Sequence, residues 1–225
     1  MAYNVLVTHR IPSEGLEKLN PDFNITLPEK KHFSTGELEE MIPEYDALMP
    51  VFGFNIDKSL IEKGKNLKII ANFGAGYNNV DVKAATERNI IVTNTPKTVI
   101  EPTAEVGFAL LLSLVRRVAE LDKKLKNKEE VKWEVMANLG HTLENKTLGI
   151  IGMGNIGRSF ALKAKAFGMN VIYHNRSRLN YTDEKTYQAT YMPMEELLKK
   201  SDIISLHTPL TEQTHHLIDD KRFQK

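Results

Sequence analysis

Through roughly the first hundred residues, short apolar runs alternate with amphipathic stretches. Val5–Thr8, Ile25–Leu27, Ala47–Met49, Leu67–Ala71 and Ile90–Thr93 read as strands. Between them, Ser13–Leu19, Ser34–Ile42, Lys58–Lys63 and Val82–Glu87 read as helices. Alternation of this kind predicts a parallel sheet with helices on its faces. The strand runs are nearly continuous in their apolar character, as suits strands buried on both sides. A longer helix is predicted from Thr103 to Lys126, after Pro102, apolar as far as Leu114 and basic beyond it. Its periodicity fits a core helix as well as one packed against another domain or a second copy of the chain. A polar connection, Asn127 to Asn145, carries the single tryptophan, Trp133.

The pattern then restarts. Thr147–Ile151, Asn170–His174, Ala189–Tyr191 and Ile203–His207 read as strands, and Asn155–Phe167 and Met194–Lys200 as helices. The expected architecture is α/β in two domains: a flavodoxin-like domain over residues 1–100 and a Rossmann-type domain over residues 101–225, the latter incomplete.

Candidate chemistry is concentrated where the first strand of the second half meets its helix. The segment Gly152-Met153-Gly154-Asn155-Ile156-Gly157 has the G-x-G-x-x-G spacing in the strand–turn–helix–strand setting that binds a dinucleotide. Gly152 makes the tight turn, Gly154 admits a pyrophosphate to the backbone, and Gly157 brings helix and strand together. N–H groups at the helix start, from Asn155 and Ile156 onward, offer a positive dipole end to the phosphates. About twenty residues on, where an acidic side chain would accept from the ribose hydroxyls of NAD, the chain has Asn175 followed by Arg176, Ser177 and Arg178. An amide does not repel a 2′-phosphate, and arginines and a serine can donate to one. The expected cofactor is therefore NADP, with NAD as the alternative.

Composition narrows the classes further. The 225 residues carry 30 basic and 29 acidic side chains, a net charge of +1, and predict neither a nucleic-acid nor a membrane partner. Cysteine is absent, which excludes disulfides, thiolate metal sites and a cysteine nucleophile. Nothing at the N-terminus has the build of a signal peptide, and the longest apolar run, Val106 to Val115, is too short to span a bilayer. A cytoplasmic location is expected. No His, Asp and Glu cluster has metal-ligand spacing.

Taken together, the motifs resemble those of the D-isomer-specific 2-hydroxyacid dehydrogenases, in their glyoxylate/hydroxypyruvate reductase branch. Asn72 to Asp81, NFGAGYNNVD, is similar to the family's substrate loop; Asn94-Thr95-Pro96 and Thr103-Ala104-Glu105 are similar to its hinge and interdomain helix start; Leu206 to Thr211, with Thr214, is similar to its nicotinamide-side loop. The resemblance implies that Ala75 and Gly76 present backbone N–H groups to a substrate carboxylate. It also places Thr103, Thr208 and Pro209 beside the cofactor, with Thr214 either reaching it or capping a turn. The implied reaction is hydride transfer between NADP(H) and a small 2-oxo or 2-hydroxy acid, in a homodimer.

The family's Arg, Glu and acid/base His all lie beyond the point matching Lys225, so no catalytic residue is assigned. His207 is expected to pack or hydrogen-bond within its loop. This predicts an inactive, C-terminally truncated chain; the alternative is a non-catalytic NAD(P)H sensor resembling the family's corepressors.

Overall fold

A computed structural model describes residues 2–19, 22–51 and 53–224. Two units are distinguished, Met1–Val99 and Ile100–Lys225. In the first, strands β1 (Tyr3–Val7), β2 (Phe23–Thr26), β3 (Ala47–Met49), β4 (Ile69–Ala71) and β5 (Ile91–Thr93) form one sheet in the order β2-β1-β3-β4-β5. Every pairing is parallel, and the order is that of flavodoxin-like folds. Helices α1 (Thr35–Met41), α2 (Lys58–Lys63) and α3 (Val82–Glu87) start where a side chain can accept from an orphan N–H. Ser34 forms a capping box with Glu37, Asp57 accepts from the Leu60 N–H, and Asp81 from the Ala84 N–H. Leu6, Leu48 and Ile70 on the central strands are fully buried against Leu38, Ile42, Ile61 and Ala85.

One expected helix is corrected. Ser13–Leu19 folds as two 3-10 turns, Ser13–Gly15 and Glu17–Leu19. Gly15 sits in the middle of this short stretch and weakens α-helix there.

The second unit begins with a long helix that is also corrected: it is two helices, α4 (Ile100–Val115) and α5 (Val118–Lys126). Pro102 lies in the first turn of α4, where its missing N–H would have had no intrahelical acceptor. Arg117 takes the left-handed conformation, φ 56°, and pairs with Glu120, while the returning chain at His141 donates to the Val115 carbonyl at 2.8 Å. That carbonyl is therefore satisfied from outside, and the helix need not continue.

Strands β6 (Thr147–Ile151), β7 (Asn170–His174), β8 (Ala189–Tyr191) and β9 (Ile203–Leu206) form the second sheet, all parallel, in the order β8-β7-β6-β9. Relative to the first strand of the unit this is 3-2-1-4, the opening of the Rossmann order. Helices α4 and α6 (Asn155–Ala166) cover one face, with Phe108, Leu111, Phe160 and Ala164 on Leu148, Ile150, Val171 and Tyr173. Gly107 permits this approach, since a Cβ there would stand 3.1 Å from the Phe160 ring. On the other face Ile151 and Ile172 meet Leu197 and Leu198 of α8 (Met194–Lys200). β9 is paired on one side only, and Ile204 and Leu206 are 40% and 51% exposed.

Two helices were not expected, α7 (Tyr181–Tyr187) and α9 (Asp220–Phe223). The α7 sequence, YTDEKTY, buries no residue and has no apolar stripe for periodicity to find. Among the described residues no helix is long and apolar enough to cross a membrane.

Candidate functional site

At the carboxyl end of the second sheet the three glycines play three different parts. Gly152 has φ +100°, and a Cβ on it would lie 2.6 Å from the His207 carbonyl oxygen and 2.9 Å from the Thr208 methyl. Only glycine fits that turn. A Cβ on Gly157 would run into the Gly152 carbonyl, so α6 packs directly on the loop that precedes it. Gly154, the residue before α6, is the opposite case: a Cβ there meets nothing within 4 Å. It faces a cleft of about 680 Å³ that Gly152, Met153 and Gly154 line. No side chain caps α6, so the first-turn N–H groups of Asn155, Ile156 and Gly157 remain available to an anion. Asn155 is exposed, Ile156 is half-buried against the core, and Gly157 is buried.

Opposite the glycines stands the end of β7. Asn175 turns its side chain inward: its Oδ1 accepts from the Met153 N–H at 2.6 Å and fixes the glycine loop to the neighbouring strand. Arg176 and Ser177 are exposed and line the cleft. Among the described residues Arg176 has no hydrogen-bond or ion-pair partner. Arg178 does not line the cleft and is held in a two-pronged pair with Glu184 of α7, 2.8 Å at each contact. The basic tip is thus not one cluster. Arg176 and Ser177 face the cavity, while Arg178 is turned aside.

The third wall comes from the chain after β9. Thr208, Pro209, Thr211 and Thr214 line it. The Thr214 hydroxyl accepts from the Thr211 N–H at 2.7 Å and donates to the Pro209 carbonyl at 2.5 Å, which makes it a brace of this loop. His207 also faces the cleft, but its Nε2 is 2.9 Å from the Ser205 hydroxyl and its ring lies 5.0 Å from that of Phe160. Burial pushes its pKa down, so the ring is neutral at pH 7. His174 is likewise engaged, through Nδ1 to the Met192 carbonyl at 3.0 Å. Thr103 lies exposed in the first turn of α4 and is not among the residues lining this cleft.

Sequence reasoning missed Arg158. One turn past Gly154 on α6, it lines the same cleft, donates from Nη2 to Asp183 at 2.8 Å and stands 5.4 Å from the Tyr187 ring. Its spacing, four residues beyond the open glycine on the same helix face, was the available signal.

In the first unit, the loop from Asn72 to Asp81 is organised around its carbonyl groups. Thr95 N–H donates to Gly74, Asn94 Nδ2 to Ala75 at 2.7 Å, and Asn72 Nδ2 to Gly76 at 2.7 Å. Asn72 is 4% exposed, and Asn79 donates to its Oδ1. Three successive carbonyls are therefore taken. No described group accepts from the N–H of Ala75 or Gly76. A run of free N–H groups of this kind is suited to an anion such as a carboxylate.

Residues 108–225 match the model of the NAD binding domain of the D-isomer specific 2-hydroxyacid dehydrogenases. The whole chain is 42% identical, over 229 aligned residues, to a glyoxylate reductase of Thermococcus litoralis, of which it covers 69%. The chain belongs to this dehydrogenase family. Solved structures agree with the assignment. A glyoxylate reductase from Paecilomyes thermophila superposes with a TM-score of 0.86 at 33% identity, over 99% of this chain and 70% of that one. An acyclic imino acid reductase in complex with NADPH and D-Arg superposes with a TM-score of 0.83 at 28% identity, over 97% and 69%. A dinucleotide fits the dehydrogenase cleft found here. Its glycine loop is closed to a side chain wherever backbone must touch backbone, and open at Gly154, where a ligand would approach. Among the described residues no group of three or more His, Asp or Glu could hold a metal ion.

Proposed function

We propose that this protein binds NADP(H), with NAD(H) as the weaker alternative, and serves hydride transfer between that cofactor and a small 2-oxo or 2-hydroxy acid such as glyoxylate or hydroxypyruvate. The observation that supports this most is the division of labour among Gly152, Gly154 and Gly157, with Arg176 and Ser177 on the rim of the same cleft. Gly154 through Gly157 would hold the pyrophosphate on backbone N–H groups. Arg176 and Ser177 would take the 2′-phosphate, and Thr208 and Pro209 would border the nicotinamide side. Asn175 and Thr214 act one step back, holding the two loops in place. Residues 1–100 serve as the substrate domain, with Ala75 and Gly76 donating to the carboxylate, and residues 101–225 as the nucleotide-binding domain. The cofactor, when bound, supplies the hydride.

Turnover also needs an acid/base at the reacting carbonyl. Among the described residues, each histidine that lines the cleft has one ring nitrogen engaged, His207 Nε2 with the Ser205 hydroxyl and His174 Nδ1 with the Met192 carbonyl. Neither is assigned that role, and the 225 residues alone are expected to bind cofactor without reducing substrate. Mixing the chain with NADPH or NADH and glyoxylate, and following both cofactor binding and absorbance of the reduced ring, tests each part. Saturable binding, tighter for NADPH, with flat absorbance is expected. Absence of binding by both cofactors would sink the nucleotide reading, and steady oxidation would sink the claim of no turnover.

A homodimer is part of the same proposal. Val106, Leu110 and Leu114 recur every fourth residue along α4 and are 62%, 66% and 75% exposed, while Ala104, Phe108 and Leu111 are buried against the unit's own core. A helix apolar on both sides has a second surface to cover. The cytoplasm is proposed as its location because the cofactor is an intracellular metabolite.

A further inference from the structure

The exposed tip of β7 carries two arginines, and the fold treats them oppositely. Arg178 gives Nε and Nη2 to the two oxygens of Glu184, 2.8 Å each. Glu184 is itself fixed from behind, since the Tyr173 hydroxyl donates to its Oε1 at 2.8 Å. Tyr173 is fully buried, and its hydroxyl oxygen accepts from the Leu179 N–H at 2.9 Å. The Glu184 side chain is 13% exposed against 64% for Arg178. The carboxylate thus belongs to a largely buried network and the guanidinium is its exposed partner. Arg178 does not line the cleft while it holds Glu184, so to present its Nε–Nη2 edge to a ligand there it must leave Glu184.

We propose that Glu184 is a specificity-determining residue that competes with the cofactor's 2′-phosphate for Arg178. The inference rests on the NADP reading above. A planar, two-pronged carboxylate offers the guanidinium the same geometry as a phosphate. While the pair is made, the tip presents only Arg176 as an unpaired cation to the cleft, because Glu184 cancels the charge of Arg178. The NADP preference of the native protein is thereby held below what two arginines could give. Arg178 and Tyr173 keep Glu184 ionised, with its pKa lowered to about 2. The competition therefore operates throughout the neutral range and is no pH switch.

The experiment is a pair of equilibrium titrations, NADPH and NADH, on the 225-residue chain and its variants, read as the ratio of the two dissociation constants. NADH carries no 2′-phosphate and reports any general damage to the cleft. Glu184→Gln keeps an oxygen to accept from Tyr173 while removing the charge. It is expected to raise the preference for NADPH by about 3- to 10-fold, with NADH affinity unchanged within about twofold. Adding Arg178→Ala to that variant is expected to cancel the gain. Arg178→Ala alone alters a residue mostly in solvent and leaves the Tyr173–Glu184 hydrogen bond in place. It should lower the preference by less than about threefold, against about tenfold or more for Arg176→Ala.

An unchanged ratio in Glu184→Gln, with both cofactors still binding, overturns the competition while leaving the nucleotide site intact. A lowered ratio also overturns it and makes Glu184 an orienting partner of Arg178. An equal loss in the two single arginine variants overturns it as well. If the native chain binds neither cofactor, the reading of the site fails, and this inference with it.

Discussion

Gly152 and Gly154 are two residues apart in one motif, yet the structure assigns them different failures. In Gly152→Ala the backbone must keep φ +100°, and the new Cβ must sit 2.6 Å from the His207 carbonyl oxygen and 2.7 Å from its carbon. The first term costs about 1–2 kcal/mol, as for any residue with a Cβ in a left-handed conformation. Overlap with backbone that cannot rotate away adds about 1–3 kcal/mol. The expected loss is about 2–5 kcal/mol, or a urea midpoint lowered by roughly 1–3 M for a slope near 2 kcal/mol/M. Gly154→Ala meets no atom within 4 Å and keeps an ordinary φ of −79°. Its cost is at most about 1 kcal/mol, from a poorer residue ahead of the helix. The methyl nevertheless occupies the space through which a pyrophosphate approaches the backbone, so NADPH affinity should fall about tenfold or more. Urea unfolding and NADPH titration of both variants separate the two effects. Equal destabilisation by the two substitutions, or undiminished NADPH binding in Gly154→Ala, would refute this reading of the loop.

Three other outcomes follow from the same physical accounting. Asn72→Ala removes a buried amide that spans the Gly76 carbonyl and Asn79; it should cost about 1–3 kcal/mol and speed hydrogen exchange at the Thr95 N–H, which is bonded to the Gly74 carbonyl. Burial lowers the His207 pKa from its ordinary 6.5, so the unfolded chain binds this proton first as pH falls. The associated stability is complete above that value and declines below it towards the lowered folded value. Thermal melts at about pH 7.5 and 5.5 should accordingly show a smaller acid loss in His207→Phe than in the native protein. Leu110→Glu, at a site 66% exposed, should leave the stability of the monomer within about 0.5 kcal/mol while abolishing the proposed dimer in sedimentation velocity; an unaltered sedimentation coefficient would remove α4 from the proposed interface.

How much of this could be seen in the chain alone depends on the range of the interactions involved. Strand β3, helices α2 and α3, and strands β6, β7 and β8 occupy the residues that hydrophobic runs and caps predict. Their signals are local: apolar continuity for buried strands, and Asp57 or Asp81 three residues ahead of the N–H that each caps. The break in the helix expected from Thr103 to Lys126 has no local signal, because it is closed by His141, which lies far along the chain and bonds the Val115 carbonyl. Helix α7 escaped notice because it buries nothing, so its sequence carries no stripe.

The candidate site divides along the same line. Glycine spacing after a strand, and the run of Asn, Arg, Ser and Arg after the next one, pointed to one place in the chain, and the structure has a cleft there lined by Gly152, Gly154, Asn175, Arg176 and Ser177, since both signals depend on chain geometry within one βαβ unit. Spacing could not say what each side chain does there. Asn175 spends its carbonyl oxygen on the Met153 N–H, Arg178 spends its guanidinium on Glu184, and Arg158 joins the cleft through Asp183. Those choices were made by the tertiary structure, because a polar side chain takes the nearest partner that packing brings to it, and that partner is seldom its neighbour in sequence.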